Sequence, residues 1–170
     1  KKERKKNMFV QNINHAMKRT TMRTFATKAK ATPRHVVVVD GVRTPFKRSS
    51  TDFDDMKAYD LGRIAIKGLM DKTALKPSDI DYVSFGTVIQ EVKTHNLARE
   101  CALGAGLLKT TPAHTVSMAC ISSNQAITTG AEKILSGRAD VILAGGAETM
   151  SDAPIRYNER MRKRLIGAGK

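Results

Sequence analysis

The sequence predicts an α/β fold, a mostly parallel sheet with helices packed on both of its faces. Three observations predict it. Four short apolar runs, 35–39, 80–89, 113–117 and 140–144, are rich in residues that suit strands. Between them lie three segments with apolar residues at helical spacing, 58–74, 96–103 and 120–135, so the order is β-α-β-α-β-α-β. Finally, 22 consecutive residues from Thr110 to Ala131 include no Asp, Glu, Lys or Arg, which marks the segment the rest of the chain encloses.

Each element has a local cause. His35–Val39 holds four valines and ends at Asp40-Gly41; a run apolar on both faces predicts a buried strand of the parallel kind. Gly41–Pro45 is turn chemistry. In 58–74, Leu61, Ile64, Ala65, Gly68 and Leu69 share one helical face, and Pro77-Ser78-Asp79 ends the pattern. Tyr82, Val83, Phe85 and Val88 mark the second strand. Leu97, Cys101 and Ala102 give the next helix its core side, closed by Gly104 and Gly106. Ala113–Ser117 is a short third strand. The helix over 120–135 carries no charge on any side of its first three turns, which predicts burial all round, and its small residues Ser122, Ser123, Ala126, Gly130 and Ala131 admit close neighbours. Asp140–Ala144 is the fourth strand, before Gly145-Gly146. The polar, basic end from Ile155 is expected to add nothing to the core.

The formal charge of +14 invites a nucleic-acid partner, but its distribution argues against one. Residues 1–34 hold eleven basic residues and one acid, and 155–170 hold six and one, whereas 35–154 hold 13 basic and 14 acidic residues. The folding part is near neutral, so no nucleic-acid partner is expected. Residues 1–34 are basic, hydroxylated and acid-poor, with Phe9, Ile13, Ala16 and Met17 near helical spacing. That composition suits a mitochondrial transit peptide, or else a disordered basic leader, and Arg23-Thr24-Phe25-Ala26 resembles a matrix-protease site. No run of about 18 apolar residues spans a membrane. Two cysteines, Cys101 and Cys120, make neither a disulfide framework nor a metal cluster, so no metal site is expected.

Cys120 sits where a strand gives way to a helix. That junction supplies unpaired N–H groups and partial positive charge, a setting that favours thiolate. It also presents the sulfur at the end of a strand, where parallel sheets place their sites, with its own N–H available to an oxyanion. The plainer alternative is a small buried hydrophobe. Cys101, in mid-helix on an apolar face, is read that way.

Around these residues the chain resembles the thiolases of fatty-acid oxidation. The resemblance runs from Val36 to about Arg156. It is carried by Val-Val-Asp-Gly-Val-Arg-Thr-Pro-Phe (38–46), Phe-Gly-Thr-Val-Ile-Gln-Glu (85–91), Asn-Leu-Ala-Arg (96–99), Ser-Met-Ala-Cys-Ile-Ser-Ser-Asn-Gln-Ala (117–126) and Ala-Gly-Gly-Ala-Glu-Thr-Met-Ser (144–151). The Ile-Ser-Ser version after Cys120 is most similar to the mitochondrial subgroup that serves as β subunit of a trifunctional complex. The resemblance implies a thiolase-like fold, N-terminal part only, with the 120–135 helix central and buried; in the family it is sandwiched between two halves of the fold, and in these residues one side of it is expected to face water. It divides the chain into a leader (1–34), an incomplete N-terminal domain (35–154) and the start of a loop domain (155–170).

The resemblance also implies the activity of a 3-ketoacyl-CoA thiolase in mitochondrial β-oxidation. Cys120 is the catalytic nucleophile and carries the acyl thioester; CoA is a cosubstrate, with no metal or redox cofactor, and the cofactor-binding residues are unassigned. Its implied partners are 3-ketoacyl-CoA and CoA, a second copy in a homodimer, and an α subunit with hydratase and dehydrogenase activities. The implied place is the matrix, with association at the inner membrane. The family's Gly-His-Pro motif, second cysteine and Asn- or His-Glu-Ala-Phe motif do not occur in these 170 residues, so the 170 residues alone are expected to be inactive. His95 and His114 match none of those motifs and are read as structural or surface residues. An acetoacetyl-CoA thiolase, another condensing enzyme of the same fold, and a non-catalytic assembly partner remain open as alternatives.

Overall fold

The structure, a computed structural model, describes residues 34–169. The transit peptide expected over 1–34 lies outside the described residues but for Arg34. Seven main elements follow in order: α1 (Ala58–Thr73), β1 (Tyr82–Gly86), α2 (Leu97–Gly104), β2 (Ala113–Val116), α3 (Ser122–Leu135), β3 (Ile142–Gly146) and α4 (Glu159–Ala168), with a single 3-10 turn at Pro77–Asp79. The strands form a sheet of order β2-β1-β3, parallel throughout, with Ser84 opposite His114 on one side and Ala144 on the other. The helices between the strands supply the crossover that each parallel pair needs.

The two faces of the sheet are covered by different helices. Val83 and Phe85 of β1 and Leu143 of β3 meet Ala58, Ile66 and Met70 of α1 and Leu97, Ala98, Cys101 and Ala102 of α2. Gly62 lets α1 lie on α2, since a Cβ there would stand 2.3 Å from the Cys101 sulfur. Cys101 is fully buried, and burial pushes its thiol up to about 12, as the core reading requires. The opposite face, with Ser84 and Gly86, is covered by α3. There Gly130 brings the helix down on Ile142 and Ala144. Register at the entry to β3 is fixed by Asp81, whose carboxylate accepts the N–H groups of Asp140 (2.7 Å) and Val141 (3.0 Å). Those bonds lower its pKa.

Two expectations need correction. The first expected strand, 35–39, is not one. Residues 34–48 lack regular structure, and Val37, Val38 and Val39 are 72%, 86% and 84% exposed. The segment is held at its ends, where Arg34 donates to Asp140 (2.5 Å) and the Ser50 N–H donates to the Ser151 hydroxyl (3.0 Å), and between them Lys72 of α1 donates to Asp40 (2.8 Å). A run apolar on both faces holds as a strand only where both faces are covered, and no such cover exists among the described residues. The second correction is to the burial on all sides that the lack of charge predicted for the central helix; the open side expected from the resemblance is what the structure shows. In α3 only Ser122, Ala126 and Gly130 are buried, while Ile127 and Leu135 are 50% and 56% exposed. One side packs on the sheet and the other is open, so absence of charge here marks an apolar face with no partner among the described residues rather than burial on all sides. The smaller differences are at ends: the helix begins at Ser122 rather than Cys120, and the strands at 80–89 and 140–144 shift and shorten to 82–86 and 142–146.

On the α3 side of the sheet, His114 is half-buried. Its Nε2 lies 3.3 Å from the Ser84 hydroxyl, its ring tilts against Tyr82 at 5.5 Å, and its Nδ1 is buried with no partner among the described residues. Lys133 sits over the same Tyr82 ring at 4.1 Å. Burial, then the Lys133 charge, lowers the His114 pKa. A depressed histidine favours the folded state above its unfolded value of about 6.5 and loses that advantage as pH falls below it. Thermal unfolding of the full-length protein is therefore expected to shift down between about pH 7 and pH 5, and less steeply for His114→Gln. Parallel pH curves for the two proteins would show that His114 does not contribute.

Candidate active site

A parallel sheet brings the carboxyl ends of its strands to one edge, and three of them meet here: Gly86, Val116 and Gly146. Beyond Val116 the chain turns through an elbow before α3. The turn requires Ala119 to take φ +47°, a left-handed conformation that is uncommon for a residue with a Cβ. Backbone bonds close it, from the Ile121 N–H to the Met118 carbonyl and from the Ser122 N–H to the Ala119 carbonyl, both 3.2 Å. The Ser122 hydroxyl adds two more. It accepts from the Met118 N–H (2.8 Å) and donates to the Ala119 carbonyl (2.6 Å). Cys120 stands at the crown of this elbow and is exposed. No side chain caps the start of α3, so the free amide end of the helix follows directly on the sulfur-bearing residue.

Two glycines seat the elbow on the sheet. A Cβ on Gly86 would stand 2.4 Å from the Ser122 carbonyl carbon and the Ser123 nitrogen, and one on Gly146 would stand 2.0 Å from the Ser123 hydroxyl and 2.6 Å from the Gly86 carbonyl oxygen. Neither glycine is needed for its backbone angles; each leaves room for α3 to touch the strand ends. The result is a cleft of about 230 Å³ lined by Gly86–Val88, Ala119, Cys120, Ser122, Ser123 and Gly146–Glu148. Glu148 ties its two walls together. The carboxylate accepts from the Val88 N–H (2.7 Å), the Ile89 N–H (3.2 Å) and the Thr87 hydroxyl (3.2 Å), three donors in succession after β1. A larger cleft of about 390 Å³ between 42–49 and 146–151 does not include Cys120. An exposed thiol at converging strand ends is the better mark of chemistry, so the smaller cleft is the candidate.

Residues 36–169 match the thiolase N-terminal domain family. The chain belongs to the thiolase family. Among its relatives, the human mitochondrial trifunctional enzyme subunit beta is 57% identical over 148 residues, which are 87% of this chain and 31% of that protein. A probable 3-ketoacyl-CoA thiolase of Caenorhabditis elegans is 51% identical over 88% of this chain and 34% of its own length. The crystal structure of the Bacillus anthracis acetyl-CoA acetyltransferase superposes with a TM-score of 0.67 at 29% identity, over 71% of this chain and 30% of that one. The thiolase chain thus spans about a third of the length of the relatives it matches.

Of the residues the sequence pointed to in this thiolase segment, Cys120 lies in the cleft and Cys101 lies in the core. His114 is on the sheet below α3 and His95 is exposed beyond β1; neither lines the cleft. Sequence reasoning missed Ser122, Gly86 and Glu148 as parts of the site. Gly86, Ser122 and Glu148 all stand inside the quoted family motifs, and that is the signal that was available.

Proposed function

We propose that these residues are the N-terminal part of a 3-ketoacyl-CoA thiolase, an acetyl-CoA C-acyltransferase of mitochondrial β-oxidation, in which Cys120 carries the acyl group. The observation that carries this reading is the contrast between the two thiols: Cys120 is exposed at a strand-to-helix elbow, and Cys101 is sealed in the core. The Cys120 thiolate attacks the 3-keto carbonyl carbon and forms a C–S bond, and the carbonyl π pair moves to oxygen. Collapse breaks the C2–C3 bond, and its electron pair leaves on C2, which takes a proton to give acetyl-CoA. The thiolate of free CoA then attacks the acyl thioester, and the Cys120 sulfur leaves. In this reading CoA is a cosubstrate and no metal or redox cofactor takes part. The base that activates Cys120 does not come from a Gly-His-Pro motif within these 170 residues, so thiolysis belongs to the full-length protein.

The names of the relatives support a mitochondrial site of action. They also support assembly with a trifunctional α subunit. Matrix location, inner-membrane association and a homodimer complete the proposal. So do the divisions 1–34 as leader, 35–154 as incomplete N-terminal domain and 155–170 as start of the loop domain. The likeness to the Bacillus acetyltransferase favours a second reading, an acetoacetyl-CoA thiolase. The test is to mix the full-length protein with 3-ketoacyl-CoA substrates of several lengths without free CoA, quench in acid and map the peptides. An acyl adduct on the Cys120 peptide, from long as well as short substrates, is expected. Adducts from acetoacetyl-CoA alone favour the second reading, and no adduct on Cys120 rejects both.

A further inference from the structure

The Ser122 hydroxyl has a role that neither its exposure nor its position in the helix requires. Ser122 is the first residue of α3, 3% exposed, and its side chain turns back along the chain rather than capping the helix that follows. Its oxygen accepts from the Met118 N–H at 2.8 Å and donates to the Ala119 carbonyl at 2.6 Å. These groups belong to the two residues before Cys120. One of them, Ala119, holds φ +47°, a conformation that is strained for an alanine and persists only where the surroundings impose it. A hydroxyl that takes both a donor and an acceptor from the turn is suited to impose it. The backbone bonds from Ile121 and Ser122 alone, at 3.2 Å, are longer. Gly86 and Gly146 leave room for Ser122 and Ser123 to rest on the strand ends, so Ser122 is seated on the sheet and the elbow is tied to Ser122.

We propose that Ser122 is the positioning residue of the Cys120 nucleophile: its buried hydroxyl locks the Met118–Ala119 turn and so fixes where the sulfur stands relative to the cleft. Its hydroxyl is engaged with the Met118 N–H and the Ala119 carbonyl, so it acts through the turn rather than on the reacting atoms. This inference rests on the thiolase reading of Cys120 and adds to it a determinant of the acylation step. A misplacement of about 1 Å at a reacting atom is enough to cost about 100-fold in rate.

The experiment is single-turnover acylation of Cys120 in the full-length protein, beside KM for CoA and the rate of Cys120 alkylation by iodoacetamide. Ser122→Ala is expected to slow acylation about 100-fold with KM for CoA unchanged. Ser122→Thr, which keeps the hydroxyl, is expected to restore most of the rate. Where Ser122→Ala fails to fold, the comparison moves to Ala119→Gly, since glycine adopts positive φ without strain. Added to Ser122→Ala, it is expected to restore folding by removing the strain at residue 119, while acylation stays well below the wild-type rate because nothing holds the turn; wild-type acylation in that double variant overturns the proposal. Acylation at the wild-type rate in Ser122→Ala overturns the proposal, as does a loss that Ser122→Thr shares in full. A wild-type protein that forms no Cys120 adduct instead rejects the functional reading itself, so the two failures are told apart.

Discussion

Replacing Cys120 with serine in the full-length protein is expected to lower thiolysis by at least about 10⁴-fold while leaving the fold intact, because removal of a covalent nucleophile costs rates of this order. The two halves of the expectation have separate causes. Activity falls because a serine hydroxyl does not supply a thiolate at neutral pH and no other exposed thiol is present among the described residues. Stability holds because Cys120 is exposed, and a swap of sulfur for oxygen at an exposed position stays within about 0.5 kcal/mol. The contrasting substitution is Cys101→Ser. It puts a hydroxyl into a fully buried apolar site beside Gly62 and is expected to destabilise the protein by about 1–3 kcal/mol. Steady-state turnover and denaturant unfolding of both variants decide it. Normal turnover in Cys120→Ser removes the nucleophile assignment, and a loss of stability there shows that the thiol is a packing residue.

The parts of this fold that were legible in the sequence are those whose cause is local. The 3.6-residue period gave α1, α2 and α3 to within a residue or two, and β1, β2 and β3 stood out because Val83, Phe85 and Leu143 sit in runs bounded by turn residues. The place of Cys120 between a strand and a helix was legible from the charge-free segment around it; spacing left its role open, and the family motif at 117–126 supplied one. The failure at 35–39 has a physical reason. Composition reports that Val36–Val39 need cover, and it does not report whether anything covers them. The same gap misled the reading of α3, in which an uncharged surface was equated with a buried one. Ser122, Gly86 and Glu148 escaped for another reason. The roles of Gly86 and Glu148 lie in pairings across the fold, a glycine with the helix on top of it and a carboxylate with amides 59 and 60 residues away, and that of Ser122 lies in a turn geometry that its residue type does not announce. Spacing along the chain carries no trace of such pairings.

Gly86→Ala tests the seating of the elbow on the sheet. The added methyl would stand 2.4 Å from the Ser122 carbonyl carbon and from the Ser123 nitrogen. These are backbone atoms at the start of a helix, so no rotamer change relieves the overlap. Either β1 or the first turn of α3 must move, and the move carries Cys120 with it. Overpacking of this kind costs about 1–3 kcal/mol in stability, and a displaced sulfur slows acylation by up to about 100-fold. Gly146→Ala meets the soft Ser123 hydroxyl but also the Gly86 carbonyl oxygen at 2.6 Å, so it is expected to fall in the same direction. Gly68→Ala is the internal control. It lies within α1 with nothing inside 4 Å of the added carbon, and it should raise stability by about 0.5–1 kcal/mol through helix propensity alone. Denaturant unfolding and single-turnover acylation of the three full-length variants give the answer. If Gly86→Ala keeps wild-type stability and wild-type acylation, α3 does not rest on the end of β1 and the cleft around Cys120 is not built as described. If it loses stability but acylates normally, the seat is structural and the position of the sulfur is set by the Ser122 bridge alone.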